Sequence, residues 1–388
     1  MPNFSAKWGL MEQLQAVAAG TWTGLPTFAL YAWGANDYGQ LGIYGAQPRS
    51  SPVQVGSLTD WYWAKISATA YSVRSALALK TDNTLWAWGE NANGQVGDGT
   101  IISRSSPVQI GLLSDWSSVS AGRTSGAIKT NGTLWAWGFG TFGSIGDGAS
   151  VSRSSPVQIG ALTNWASVAT AASSTASIKT DGTLWTWGAN DYGQLGRNNV
   201  ASVGSPVQIG ALTNWSSISV TSNAMVSVKT NGTLWTWGRN TDGRLGQNIA
   251  TTVNRSSPVQ VGALTNWSSA SFGNAHVAAV KTDGTLWAWG SNLNGRLGDG
   301  TVANRSSPVQ IGALTNWLRV SAGGSATSAI KTDGTLWTWG DNLNAQLGQN
   351  IAITISRSSP VQVGAGTNWS ATSAGFNSTF AILQGVTN

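Results

Sequence analysis

The chain has 388 residues, with 23 Trp, one His, no Cys and only 9% charged side chains, against roughly 25% in a usual globular protein. Without Cys there can be no disulfide scaffold, cysteine nucleophile or thiolate metal site, and a single His excludes a multi-histidine metal centre and argues against a histidine triad. The formal charge of +6 arises from 21 basic and 15 acidic residues, and no apolar run approaches the ~20 residues of a membrane span.

Residues 1–27 read as a leader. It lacks the basic start and continuous apolar centre of a secretory signal. Trp8, Met11, Leu14 and Ala18 fall on one helical face, so Trp8, Met11 and Leu14 are candidate anchor residues. The same face is also able to pack over the rest of the chain. From residue 28 to 388 the sequence repeats. Trp-Gly recurs at Trp33, Trp88, Trp137, Trp187, Trp237, Trp289 and Trp339, and 306 residues over six steps give a mean period of 51. Pro-Val-Gln recurs at Pro52, Pro107, Pro156, Pro206, Pro258, Pro308 and Pro360. A further Trp recurs at Trp61, Trp116, Trp165, Trp215, Trp267, Trp317 and Trp369.

One repeat reads as four short strands. The first, residues 206–210, alternates apolar side chains, and residues 211–215 turn the chain into a second strand at 217–220. A third strand, 225–229, meets a fourth, 233–237, through Asn231-Gly232, a strong hairpin signal because both residues tolerate positive φ. The long Gly- and Asn-rich connection from 238 to 257 is then expected to cross between units. Helical periodicity is absent, and four-stranded units of about 50 residues repeated seven times predict an all-β, seven-bladed β-propeller. The chain enters on a fourth-type strand, 28–33, and leaves on a third-type strand, 380–384. An N-terminal strand must therefore complete the C-terminal blade, three strands from one end and one from the other, which hides the sheet edges.

A Gly-Gln-Leu-Gly segment follows each Trp-Gly, as at Gly39 to Gly42 and Gly193 to Gly196, with variants such as Gly143 to Gly146 and Ala345 to Gly348. Trp-Gly, Gly-Gln-Leu-Gly and a Pro-led strand together resemble the regulator-of-chromosome-condensation repeat family across residues 28–388, which implies a seven-bladed propeller. Eukaryotic members implied by that resemblance include a nucleotide exchange factor that binds chromatin, but this chain has neither a basic tail nor an inserted wedge. A light-sensing branch places Trp beside Arg in Gly-Trp-Arg-His-Thr. Comparable segments here, Ala121-Gly122-Arg123-Thr124 and Ala322-Gly323-Gly324-Ser325, carry no Trp.

Twenty of the 23 Trp occupy three repeat positions, and such ring-wide regularity suits packing between blades better than an aromatic binding platform. Lys80, Lys129, Lys179, Lys229, Lys281 and Lys331 close the third strand. Arg49, Arg104, Arg153, Arg255, Arg305 and Arg357 precede the first, with Gly204 breaking the series. Alternating strand direction puts the two sets on opposite faces. The Arg set is the candidate ligand site, able to grip carboxylates or phosphates, or else is paired locally within each blade. Most acids fall at turns, with Glu12, Glu90 and Asp341 outside that pattern, and His276 reads as a core or loop histidine. No catalytic, metal or cofactor residues are expected, and a charge divided between faces does not predict specific nucleic-acid binding. The expected function is a non-enzymatic structural or binding propeller. Its weakly charged, hydroxyl- and amide-rich exterior suggests a phage-like virion protein, anchored to other virion proteins by the leader and recognising a host surface glycan or protein. The alternative is a bacterial cytoplasmic scaffold binding a protein partner.

Overall fold

The computed structural model describes residues 26–66 and 74–386. Among these residues the strands form seven four-stranded antiparallel sheets, and helix is confined to three single 3-10 turns. The predicted all-β, seven-bladed propeller is what the chain forms.

The fourth blade contains Trp215–Val220, Ala224–Lys229, Leu234–Gly238 and Arg255–Gln260, in that spatial order. First strands of adjacent blades touch one another around the ring, so the Trp-led strand is innermost and the Pro-containing strand is outermost. At the hairpin after Lys229, the N–H of Gly232 donates to the Lys229 carbonyl at 2.9 Å. Gly232 takes φ +74°, whereas Asn231 stays out of the left-handed region. The Asn has another task, since its Oδ1 accepts from Thr233 N and Oγ1 at 3.2 and 2.8 Å. Asp181, Asp283 and Asp333 hold Thr183, Thr285 and Thr335 in the same way. Those Thr side-chain and backbone hydrogen bonds keep the three carboxyls below their ordinary pKa.

The blade boundary differs from the one expected from loop length. The long connection does not cross between blades; it returns to its own sheet, where Gly238 pairs with Arg255 and Trp235 with Gln260. The short turn from 210 to 214 makes the crossing instead. Loop length misleads because the long loop is occupied in gripping the neighbouring blade. Proline suits the arrangement: an outermost strand tolerates a residue without an N–H, and the ladder shifts register between Thr236 and Gly238, opposite Pro258. Ring closure follows the same boundary. An N-terminal strand does complete the C-terminal blade, through nine pairs from Pro26↔Val386 to Gly34↔Ser378. Because the outer strand belongs to the preceding unit, Arg49–Gln54 joins too, and the closing blade has two strands from each end of the chain.

The core is divided among the blade junctions. Between the third blade (residues 165–208) and the fourth (215–260), Ile178, Leu184, Leu195 and Ile209 pack against Trp215 and Trp237. Equivalent clusters fill the other six junctions, so the Trp positions do serve packing between blades. Trp237 is fully buried, and its Nε1 donates to the Gln194 carbonyl in the Gly-Gln-Leu-Gly loop of the preceding blade at 2.8 Å. Five other junctions repeat this bond at 2.9–3.1 Å. The last Gly of the loop lies against the indole at every junction, where a Cβ would stand 2.5–2.9 Å from the indole nitrogen. Burying one such side chain removes roughly 150–250 Å² from water, worth about 4–6 kcal/mol before chain entropy is counted.

Hydroxyls join the inner strands. Ser120, Ser219, Ser271 and Ser321 each accept through Oγ from an N–H of the next blade, at Thr170, Phe272, Ala322 and Ala374, all at 3.0 Å.

Two predictions follow from these contacts. Gly146 has φ +94° and a Cβ there would sit 2.6 Å from Trp187 Nε1, whereas Gly160 has φ +62° and nothing within 4 Å. In urea unfolding, Gly146→Ala should remove about 3 kcal/mol and Gly160→Ala about 1 kcal/mol, the backbone strain alone; equal losses would refute the close indole contact. The turn carboxyls, with folded pKa values below the unfolded ones, add stability above the unfolded pKa near 4 that disappears as pH falls through the folded values. Replacing Asp181, Asp283 and Asp333 together by Asn should preserve the fold and flatten the decline of melting temperature between about pH 4 and 2.

Candidate functional site

The Lys and Arg sets do lie on opposite faces, because Lys229 pairs with Trp215 at one end of the sheet and Arg255 with Gly238 at the other. The Lys side chains are buried. Lys229 Nζ sits 4.4 Å from the Trp215 ring centroid and 3.8 Å from that of Trp235, and the other five are caged by the same two Trp positions at 3.7–5.5 Å. Desolvation lowers the pKa of Lys229, Lys281 and Lys331. In the closing blade Leu383 replaces the Lys and Tyr31 the Trp, and Tyr31 packs edge-on against Trp369 at 5.5 Å.

The Arg set stands at the outer rim of the opposite face. Arg104, Arg153 and Arg305 pair within their own blades with Asp98, Asp147 and Asp299, with Nε–Oδ2 distances of 2.6, 2.9 and 2.8 Å. Burial opposes ionisation of Asp98 and Asp299, yet hydrogen bonds from the adjacent Thr and Arg hold both below the ordinary carboxylate value. Arg255 donates to Gln247 Oε1 at 3.2 Å. Arg49 faces solvent and Arg357 is half-buried. Trp8, Met11 and Leu14 lie outside the described residues.

His276 is completely buried. Its Nε2 is 2.8 Å from Thr327 Oγ1, and that hydroxyl lies 2.8 Å from the Arg296 carbonyl. The hydroxyl proton therefore serves the carbonyl, and the His proton sits on Nε2. Burial, then the charges of Arg296 and Arg244, drives the His276 pKa well below its ordinary value. It is a neutral core histidine.

What remains is where the copies differ. The residue after each Trp-Gly is Ala35, Glu90, Phe139, Ala189, Arg239, Ser291 or Asp341. In every blade its N–H donates to the carbonyl just before the second strand, at Asn377, Arg74, Arg123, Ser173, Asn223, Ala275 or Ser325, over 2.7–3.0 Å. That loop joins the innermost strand to its neighbour, so both residues ring the centre of the Arg face. Arg74 lies 3.8 Å from Asp37 and 4.8 Å from the Tyr38 ring centroid. Arg123 covers Phe139 at 4.5 Å. Glu90 stands between these arginines, and burial raises its pKa although both guanidinium charges oppose the shift. Farther round, Arg239 covers Tyr192 at 4.9 Å, while Arg244 and Arg296 are buried against the Asn274 and Gly324 carbonyls at 3.1 and 3.3 Å.

Sequence reading missed this cluster, although Glu90 and Asp341 stood outside the acidic pattern. A comparison of the blades at that one position was the available signal. The arrangement offers partly buried guanidinium groups on aromatic faces beside a carboxylate, the chemistry of a protein-binding hot spot. Among the described residues no group of three or more His, Asp or Glu could hold a metal ion, and no helix is long and apolar enough to cross a membrane.

Comparison with known proteins agrees with this architecture. The Ultraviolet-B receptor UVR8 of Arabidopsis thaliana is 38% identical over 85 residues, which is 22% of this chain and 19% of that protein; the match thus spans about a fifth of that relative. Two solved structures share the fold at 18% identity. Prp20p of Saccharomyces cerevisiae, described with its binding to Gsp1p and histones, has a TM-score of 0.81 over 92% of this chain and 91% of its own. Human WBSCR16 has a TM-score of 0.80 over 92% and 98%. Seven successive segments, residues 29–73, 82–128, 131–178, 181–227, 231–280, 283–330 and 333–382, match the regulator of chromosome condensation (RCC1) repeat, and the chain belongs to that repeat family.

Proposed function

We propose that this chain is a non-catalytic binding propeller that engages a protein partner through the centre of its Arg face. The carrying observation is where the copied blades depart from one another: the residues after Trp-Gly and those before the second strand, which the backbone brings together in every blade. Residues common to all blades are engaged in architecture, so a ring of seven near-identical units gains selectivity at its differences. Arg74, Glu90, Arg123 and Phe139 would form the anchor. Arg and aromatic side chains dominate binding energy at protein interfaces, and the alternating charges suit a partner of mixed charge. Prp20p, which shares the fold, binds proteins, a property consistent with this reading.

A photo-crosslinking residue at position 139, introduced into the full chain in its native cells, should capture a partner. The same residue at position 181, on the opposite face, should not. Arg74→Glu with Arg123→Glu should abolish the product. Capture only from position 181, or capture indifferent to the charge reversals, would exclude this face.

A second reading places the propeller on a phage-like particle, attached by residues 1–27, with the rim arginines facing a host ligand. The scarcity of charge and the single apolar face of the leader favour it. Purified particles should then contain the chain and lose it when residues 1–27 are deleted; undiminished incorporation would rule out attachment by the leader.

A further inference from the structure

The third blade reverses the charge pattern of its long loop. Where the first, second and fifth blades place Asp98, Asp147 and Asp299 opposite an Arg of the outer strand, this blade has Arg197 opposite Val203, which pairs with Gly188 as Arg305 pairs with Gly290, so the break in the Arg series falls at Val203 and not at Gly204. An Arg at both positions would bring like charges together, and the strand Arg is the one replaced. Arg197 is left with a long contact of 3.4 Å from Nη1 to the Ala201 carbonyl. Among the described residues no carboxylate lies within 4.0 Å of it.

Arg197 lines an open groove of about 460 Å³ at the junction with the fourth blade, together with Asn199, Gln208, Leu212, Trp235 and Pro258. Trp235 is half-buried and Leu212 exposed, so an indole and two aliphatic groups form an apolar wall. Asn199 spends its side-chain oxygen inward, accepting from Asn190 Nδ2 and Ala201 N at 3.2 and 3.1 Å, which leaves its amide nitrogen for an outside acceptor. Gln208 donates to the Gly210 carbonyl at 3.0 Å, which leaves its oxygen for an outside donor.

We infer that this groove binds a saccharide bearing a carboxylate, of uronic or sialic type. The apolar wall would take the C–H face of the sugar ring, the two amides its hydroxyls, and Arg197 its carboxylate through paired N–H donors. An acidic peptide fits less well, because strand addition needs an unbroken edge and the outer strand on the far wall is interrupted by Pro258 and a register shift. The site is separate from the Arg-face centre and does not depend on it.

The test is saturation-transfer NMR and calorimetric titration of the full chain with sialyllactose, a glucuronate-terminated disaccharide, lactose and a Glu-Leu dipeptide. At least one acidic sugar should bind ten times more tightly than lactose, and the two acidic arms distinguish the sources. Arg197→Asp with Val203→Arg rebuilds the ion pair of the neighbouring blades and should weaken that binding at least tenfold in a chain that still unfolds cooperatively. The milder Arg197→Gln should also weaken it if the double variant does not fold, and Arg153→Ala, outside the groove, should leave it intact. No binding of either acidic sugar, equal binding of lactose, retention in the Arg197 variants, or binding of the dipeptide alone would overturn the inference.

Discussion

The molecule depends on one contact made seven times: the second Trp of a third strand seated against the Gly-Gln-Leu-Gly loop of the preceding blade. The indole supplies area and, at six of the junctions, a donor; the loop supplies the accepting carbonyl there and, at all seven, a glycine that leaves room for the ring. Both partners are needed, which is why the two motifs recur together although 42–48 residues, most of a repeat, separate the contacting pair at five of the junctions. A four-stranded sheet exposes two apolar faces and cannot stand alone. Passing each blade's Trp into its neighbour's loop makes burial collective, and the ring is complete only when the nine-pair seam between Pro26–Gly34 and Ser378–Val386 closes it.

The same economy explains the low charge. Lys cations are enclosed between two indoles, and three of the rim arginines are matched by carboxylates in their own blades. Desolvated cations on aromatic faces gain more than exposed ones, so few charges are required and most of them have structural work. The hydroxyls are also less superficial than they first seem from composition. Serines of the inner strands accept backbone N–H groups across blade junctions. With the repeated residues occupied in this way, departures from the repeat become the informative positions: Glu90 and its arginine neighbours at the centre of one face, and Arg197 opposite Val203 on the flank.

Much of this was legible in the residues. The count of blades, the strand alternation, the hairpin turns and the opposite placement of Lys and Arg all follow from periodicity and local chemistry, whereas His276, left open between core and loop, is placed in the core only by the fold. The position of the blade boundary did not. Loop length ordinarily separates a hairpin from a crossing, but the loop from 238 to 254 is long because its Gly243-Arg244-Leu245-Gly246 segment receives Trp289 of the next blade. A residue's local pattern does not reveal that it is spoken for elsewhere.

By itself, the sequence determined the local alternation, the seven-fold copying and the types of side chain available at each repeated place, since these depend on neighbours a few positions apart. Tertiary structure alone decided which strand is innermost, that two strands rather than one return to close the ring, and which irregular residues meet. Arg74, Glu90 and Arg123 belong to different loops and two blades, and only the radial arrangement of the sheets brings their charges into one field. The reason is physical: pairing within a strand or turn is set by backbone geometry over a few ångströms, whereas a shared surface is set by how separate sheets bury their tryptophans.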